Sequence, residues 1–377
     1  MSVVLRGITW EHARGYGSVA SAAQAYRAVA PAVEVQWDQR SLQSFADQDL
    51  DDLVREYDLL VIDHPHIPLA ADRGMFLRLD GTGHDDELAL LAAQSVGSSH
   101  ASYAHAGGQW ALATDAAAQV AAFRPDLLPE PPRDWPSVLA LAAEGRVLWP
   151  YKPVDAFSSL ITVAAGNGEE AMRTPGVFLS TNALEEAMHT LRALARAVPE
   201  ECASWNPIQA ADALSVGDRY CYAPLLFGYS NYGRAGFRPH RLRYVDIPAS
   251  RRGVRGSLLG GAGIAVSSRT AHAAEAIAHA FWLASAEVQA GVYYDAGGQP
   301  GNAAAWDDER TNADSLDFFR ATRATLEGAY LRPRWTHYIE VQNELSPLVT
   351  AALRDELTDA ELRTRLDAGV RAAEEDR

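Results

Sequence analysis

Strand and helix patterns alternate along the first part of the chain. Residues 3–10 (VVLRGITW) form an apolar run that predicts a buried strand, and residues 16–30 have the apolar spacing of a helix. A second strand is predicted at 32–38 and an acidic amphipathic helix at 45–57. A third strand is predicted at 58–64, where an apolar run is typical of a central parallel strand. This β-α-β-α-β order predicts a doubly wound parallel sheet.

The later part of the chain repeats the mixture of strands and helices. Five prolines between residues 125 and 136 exclude regular structure until a helix that starts near Pro136. A strand is predicted at 145–153, followed by a helix for which Asp155 is the predicted N-cap. A strand that enters an aromatic loop is predicted at 218–232, and further strands at 242–248 and 256–268. A helix pair is predicted at 271–298 and a charged helical tail at 346–377. The fold class is therefore α/β with a helical C-terminus.

The charge and composition of the chain limit the kinds of molecule that it is expected to bind. A formal net charge of −16 argues against nucleic acid and anionic membranes, and no 18-residue apolar window predicts a membrane span. Two cysteines, Cys202 and Cys221, supply no disulfide framework, and one bridge between them stays open. The N-terminus has no export-signal pattern, so the expected location as written is cytoplasmic unless an export segment was removed.

Polar and aromatic side chains follow the predicted strands. In an open α/β sheet, ligands bind beyond the carboxyl ends of the strands, so these side chains are the expected ligand contacts. They are Trp10, Glu11 and His12 after the first strand, Arg40 and Ser41 after the second, Asp63, His64 and His66 after the third, and Lys152, Asp155 and Ser158 in the later half. Lys152 is the only lysine of the chain, and its position between Pro150 and Pro153 favours a role in ligand binding.

The order of several segments resembles the sugar-type extracellular solute-binding proteins of ABC importers. The resemblance spans roughly residues 3–350 and rests on YDLLVIDHPHIPLAADRGMFLRLD, on GGQWALATDAAAQVAAFRPDLL, and on GSLLGGAGIAVSSRTAHAAEAIAHAFWLASAEVQ. It implies a periplasmic-binding-protein-like type II fold, in which two α/β lobes are joined by crossing strands and close on a ligand held between them. The implied division is 1–112 for the first part of the N-lobe, 113–262 for the C-lobe, 263–345 for the return and hinge, and 346–377 for C-terminal helices.

A carbohydrate or small polar metabolite is the ligand that this resemblance implies. Sugar recognition uses aromatic faces and polar groups that bind hydroxyls. The later strand ends and crossings add Asp115, Trp205, Asn206, Phe227, Tyr229, Asn231 and Gln299, and Gly261 would let a crossing strand pass close to the ligand. No cofactor or resident metal is expected; the expected partners are this ligand and an ABC permease, and the chain is expected to be a monomer.

Three alternatives remain open from the sequence. Arg40, Lys152, Arg332 and Arg334 could converge on a carboxylate or phosphate. His12, His64 and His66 could meet around a metal, although H-P-H is not a diagnostic spacing. The same bilobal scaffold could serve a cytoplasmic enzyme or sensor that acts through a histidine, Lys152 or Cys202, although acidic neighbours and burial disfavour a reactive thiol.

Overall fold

The computed structural model describes residues 2–41 and 50–375, so the start of the helix predicted at 45–57 lies outside the described residues. The strands are β1 Val3–Trp10, β2 Val33–Arg40, β3 Leu59–Asp63, β4 Ala104–His105, β5 Gly108–Gln109, β6 Ala111–Ala113, β7 Ala117–Phe123, β8 Tyr222–Phe227, β9 Arg243–Val245, β10 Leu259–Gly260 and β11 Ala262–Val266. The helices are α1 Ser18–Val29, α2 Leu50–Glu56, α3 Ile67–Asp72, α4 Asp85–Ala93, α5 Trp135–Ala143, α6 Pro153–Gly166, α7 Thr181–Ala197, α8 Pro207–Val216, α9 Ala273–Ala284, α10 Ala286–Val288, α11 Ala303–Asp307, α12 Glu309–Asp314, α13 Phe318–Glu327, α14 Tyr338–Leu353 and α15 Asp359–Glu375.

The chain divides into two compact units. Unit 1 contains the residues up to Ala116 together with Gly260–Thr311, and unit 2 contains Ala117–Leu259 and the residues from Asn312 onward. Residues 312–345 cluster with unit 2. The assignment of 263–345 to the return and hinge stays a prediction. No helix in the described ranges is long and apolar enough to cross a membrane.

Unit 1 is built on a sheet with the strand order β2-β1-β3-β11-β6. β1 is parallel to β2 and to β3, which confirms the parallel arrangement predicted for the first three strands, and β11 runs antiparallel to β3. Alternating positions along the strands face opposite sides of the sheet. Leu5 and Val61 belong to the core cluster that includes α1 and α9, while Ile8 and Leu60 pack with α2 and α3. Helices therefore cover both faces.

Unit 2 is built on a smaller sheet in which β7 lies between β10 and β8 and also pairs with β9. Residues 145–153 were predicted to form a strand, but they do not form a continuous strand in the structure. Only Val147 makes a bridge, with Tyr222, and Leu148 donates its backbone N–H to the Tyr222 carbonyl at 2.9 Å. Pro150 and Pro153 carry no N–H, so the segment cannot extend a hydrogen-bonded ladder.

The start of α6 corrects the predicted role of Asp155. The helix begins at Pro153 with Lys152 in the N-cap position, so Asp155 lies in the first turn and is not the N-cap. Proline is favoured at the first helical position, because the N–H that it lacks has no intrahelical partner there. Each residue of the helix is rotated by about 100° from the one before it, and this rotation directs Asp155 inward, where it is buried.

Candidate functional site

The carboxyl ends of β1, β2 and β3 form one edge of the unit 1 sheet, here called the first edge and defined by Trp10, Arg40 and Asp63. Trp10 and Arg40 are register partners, and the Glu11 N–H donates to the Arg40 carbonyl at 2.7 Å. Ser41 and Glu11 are exposed beside them. Parallel pairing therefore brings together the ends of strands that are separated in sequence.

Charge at the first edge is carried by Arg40 and Asp63. Burial lowers the pKa of Arg40 to about 10, and the nearby Asp63 and Tyr57 oppose that shift. The Arg40 guanidinium stays protonated at neutral pH, because a pKa near 10 lies well above 7. The first edge thus combines a cation, an acid and the buried Trp10 ring.

The three histidines of the first edge have different local roles. His12 accepts the Arg14 backbone N–H through Nδ1 at 3.0 Å and begins a short helical turn. His64 is fully buried, and its ring meets Tyr103 edge-on at 6.4 Å between centroids, whereas His66 is half-buried in the next turn. Among the described residues, no group of three His, Cys, Asp or Glu side chains is placed to hold a metal ion.

Arg14 and Asp115 form a buried ion pair at the first edge. This pair was not predicted from the sequence. Arg14 Nε donates to Asp115 Oδ2 at 2.6 Å, and Arg14 Nη2 donates to Asp115 Oδ1 at 2.6 Å. The Asp115 backbone N–H donates to the Ala262 carbonyl at 2.8 Å, so this acid is anchored to the antiparallel strand β11. The pair could not be found from local sequence, because its members lie 101 positions apart.

Gln299 and Gly261 complete the predicted set in unit 1. Gln299 is fully buried, and its Nε2 donates to the Ala116 carbonyl at 2.9 Å. Gly261 has a φ of +101°, a conformation that favours glycine, and its carbonyl accepts the Tyr103 hydroxyl at 3.3 Å. Both residues lie where β6 and β11 meet the first edge.

The corresponding edge of unit 2, here called the second edge, is defined by Lys152, Asp155 and Phe227. Tyr151 is held by a hydrogen bond of 2.8 Å from its N–H to the Cys202 carbonyl, which places the following Lys152 at the start of α6. The Ser158 hydroxyl donates to the Val154 carbonyl at 2.7 Å, so Ser158 is engaged within its own helix.

Asp155 is the most perturbed acid of the second edge. Burial raises its pKa to about 7, and the ammonium group of Lys152 acts in the opposite direction. Its Oδ2 is buried and has no hydrogen-bond partner. A buried carboxyl without a partner favours the neutral form, so Asp155 changes charge near neutral pH.

Trp205 and Asn206 lie at the start of α8. The Asn206 side chain accepts the Gln209 backbone N–H at 2.9 Å, and the Gln209 side chain accepts the Asn206 N–H at 2.9 Å. This is a capping box, and the local pattern N-P-I-Q is a signal from which it could have been predicted. Trp205 is half-buried beside it.

The end of β8 supplies the remaining aromatic and amide groups. Phe227 is the last residue of β8 and is half-buried, while Tyr229 and Asn231 follow in a mostly buried turn. The Gly228 N–H donates to the Ala118 carbonyl at 3.3 Å, so this turn stays attached to β7. The turn therefore adds an aromatic ring and an amide to the second edge.

The two thiols are unsuited to nucleophilic chemistry. Cys202 and Cys221 are both free and buried. Burial raises the pKa of the Cys202 thiol to about 11, and the neighbouring Glu201 adds to this shift. Because the thiolate is the reactive form, Cys202 carries almost none of it at neutral pH.

Known structures share this fold. The maltose-bound MalE3 of T. maritima superposes with a TM-score of 0.84 at 16% identity, covering 98% of this chain and 99% of that one. The GacH receptor of Streptomyces glaucescens gives 0.82 at 14% identity, with coverage of 100% and 99%. A solute-binding protein of Agrobacterium radiobacter in complex with ribitol gives 0.81 at 16% identity, with coverage of 100% and 99%.

The match to a family model identifies the family of the chain more directly than the likeness of fold does. No curated protein matches the chain. The family model described as bacterial extracellular solute-binding protein matches residues 19–318, which is most of the chain and includes residues from both units. Because the match covers this much of the sequence, it assigns the family, and the fold likeness agrees with it. The chain belongs to the bacterial extracellular solute-binding proteins.

Proposed function

We propose that the chain captures a carbohydrate or a small polar metabolite and delivers it to an ABC permease. The observation that carries this proposal is the family match over residues 19–318. The first edge offers Trp10 and Asp63, and the second edge offers Tyr229 and Asn231. Aromatic rings of this kind pack against the C–H faces of sugars, while carboxylates and amides bind their hydroxyls.

The similar structures support a polyhydroxylated ligand. The T. maritima protein is bound to maltose, and the Agrobacterium protein is in complex with ribitol. A site that binds several hydroxyls needs polar side chains, which Asp63 and Arg40 supply at the first edge and Lys152 and Asn231 at the second. Closure of the two lobes on one ligand stays a prediction that rests on the family resemblance seen in the sequence.

A thermal-shift screen over sugars, polyols and small acids tests the proposal. A ligand at a hundredfold excess over its Kd should stabilise the protein by about 2.7 kcal/mol, because it binds the folded state alone. No stabilisation by any member of the three classes would contradict the proposal.

Two variants locate the binding groups. Asp63→Asn at the first edge and Lys152→Ala at the second should each raise the Kd of the ligand found, measured by calorimetry at pH 6. At that pH Asp155 is mostly neutral, so loss of the neighbouring ammonium has little effect on its charge. Asp134→Ala is the control: it removes the N-cap of α5, which should lower stability by about 1 kcal/mol without changing the Kd.

A further inference from the structure

Arg332 is a buried cation held by neutral groups. It lies between α13 and α14 and is 8% exposed. Its Nη1 donates to the Gln342 Oε1 at 3.3 Å and its Nη2 donates to the Leu259 carbonyl at 3.1 Å. Its Nε is buried and donates to no acceptor in the part of the chain that the structure describes. Neither of its two acceptors carries a negative charge.

Two other arginines of unit 2, the buried Arg124 and the half-buried Arg192, are compensated by acids. Arg124, whose side chain is fully buried, pairs with Asp126 at 2.6 Å and with Asp218 at 3.1 Å. Arg192 pairs with Asp359 at 2.6 Å. No carboxylate of the described residues forms an ion pair with Arg332. Arg332 therefore differs from Arg124 and Arg192, whose guanidinium groups both have acidic partners.

The surroundings of Arg332 add to the positive field. Its guanidinium lies 5.9 Å from the ring centre of Tyr338, the first residue of α14, where the helix dipole is positive. The Tyr338 hydroxyl is buried and has no hydrogen-bond partner. The acid of this first turn, Glu340, has a side chain that is 72% exposed and pairs with His337 at 2.9 Å.

These features together suit the binding of an anionic group. An unpaired buried charge is costly, so a partner that neutralises it is favoured. Arg332 Nε and the Tyr338 hydroxyl are two buried donors that remain unused, and a planar guanidinium suits carboxylate and phosphate. We propose that Arg332 forms a subsite for an acidic saccharide, one that carries a carboxylate or phosphate group. This inference rests on the proposed function.

The net charge of the chain does not oppose a site of this kind. At physiological ionic strength the Debye length is about 8 Å, so the formal charge of −16 is largely screened beyond the immediate surroundings. Affinity is then decided by the groups that touch the ligand. Binding of the acid should weaken as salt is added, and binding of a neutral sugar should not.

The test compares neutral sugars with their acidic counterparts. Glucose is paired with glucuronate and glucose 6-phosphate, and galactose with galacturonate, using calorimetry and thermal shift on the full chain. We expect at least one acidic probe to bind about tenfold more tightly than its neutral parent. The carboxylate and phosphate members identify which group the subsite takes.

Variants connect this preference to Arg332. Arg332→Gln should abolish the preference for the acidic probe while leaving the unfolding midpoint of the free protein unchanged or higher, since it removes an uncompensated charge. Arg332→Lys should keep part of the preference, because the charge remains and the planar fork is lost. Arg192→Gln is the matched control: it should lower the midpoint and keep the preference, because its guanidinium is already paired.

The outcomes separate this inference from the proposed function. Binding of neutral sugars with no preference for acidic ones would overturn the subsite and leave the function standing. An acidic preference that survives in Arg332→Gln would also overturn it. No binding of any saccharide, with a polyol or small acid still bound, would overturn the subsite alone, whereas no binding by any of the three classes of the screen would overturn the proposed function and the subsite together.

Discussion

At the scale of single residues, Asp155 is a buried acid of unit 2 whose pKa lies near neutral pH. Its folded-state pKa of about 7 lies above the value near 4 of an unfolded aspartate. Between these values the folded state binds the proton and the unfolded state releases it. Stability therefore falls as the pH rises from about 4 to about 7, with a slope of up to about 1.4 kcal/mol per pH unit.

Asp155→Asn should remove this contribution. Urea unfolding at pH 5 and pH 8 should show a smaller loss of stability with rising pH in the variant than in the unchanged protein. Asp52→Asn, at a side chain that is 71% exposed, is the control and should leave the pH dependence as it was. If Asp155→Asn keeps the original slope, Asp155 does not titrate in this range.

At the scale of elements, the Arg14–Asp115 pair joins the turn after β1 to the segment after β6. The side chains are 5% and 1% exposed, and both acid oxygens accept from the guanidinium. Removing one member leaves the other as a buried charge. Arg14→Met and Asp115→Asn should therefore each lower the free energy of unfolding of unit 1 by about 3–5 kcal/mol.

A double-mutant cycle measures this coupling. The double variant should lose less than the sum of the two single losses, because the second substitution removes a charge that the first left unpaired. The exposed pair Arg55–Asp52 is the control and should contribute less than about 1 kcal/mol. A coupling below that value for Arg14–Asp115 would mean that the pair does not hold these elements together.

At the scale of the whole molecule, the two units should respond to acid in opposite directions. His279 in α9 of unit 1 is fully buried, both ring nitrogens lack partners, and burial lowers its pKa to about 3. Its ring packs edge-on against Tyr26 at 4.6 Å and near Trp282 at 5.9 Å. Below pH 6.5 His279 binds a proton in the unfolded chain but stays neutral in the folded chain. Unit 1 therefore loses stability as the pH falls.

Hydrogen exchange read by mass spectrometry can follow each unit separately. Between pH 7 and pH 5, after correction for the intrinsic exchange rate, the free energy of opening measured in unit 1 should fall by about 2 kcal/mol because of His279. Asp155 should make unit 2 more protected over the same interval. His279→Leu should flatten the unit 1 response and leave unit 2 unchanged; an equal loss in the variant and in the unchanged protein would contradict this.

The sequence by itself determined the local elements and their order. The apolar run at residues 3–10 predicted β1, and the strand-helix alternation predicted the parallel pairing of β1, β2 and β3, both of which the structure confirms. The two-lobed α/β class was implied by the resemblance to a known family and is confirmed by the family and fold comparisons. Such features depend on neighbouring residues, so a linear pattern contains them.

Tertiary structure alone decided burial and partnership. It placed Arg14 against an acid 101 positions away, gave Arg332 no acidic partner within the described ranges, and buried Asp155 in the first turn of α6 where the sequence predicted a cap. These outcomes depend on which distant segments pack together and on how far they exclude water. Neither quantity is encoded at a fixed spacing along the chain, so residue order could nominate these groups but could not assign their charge states or partners.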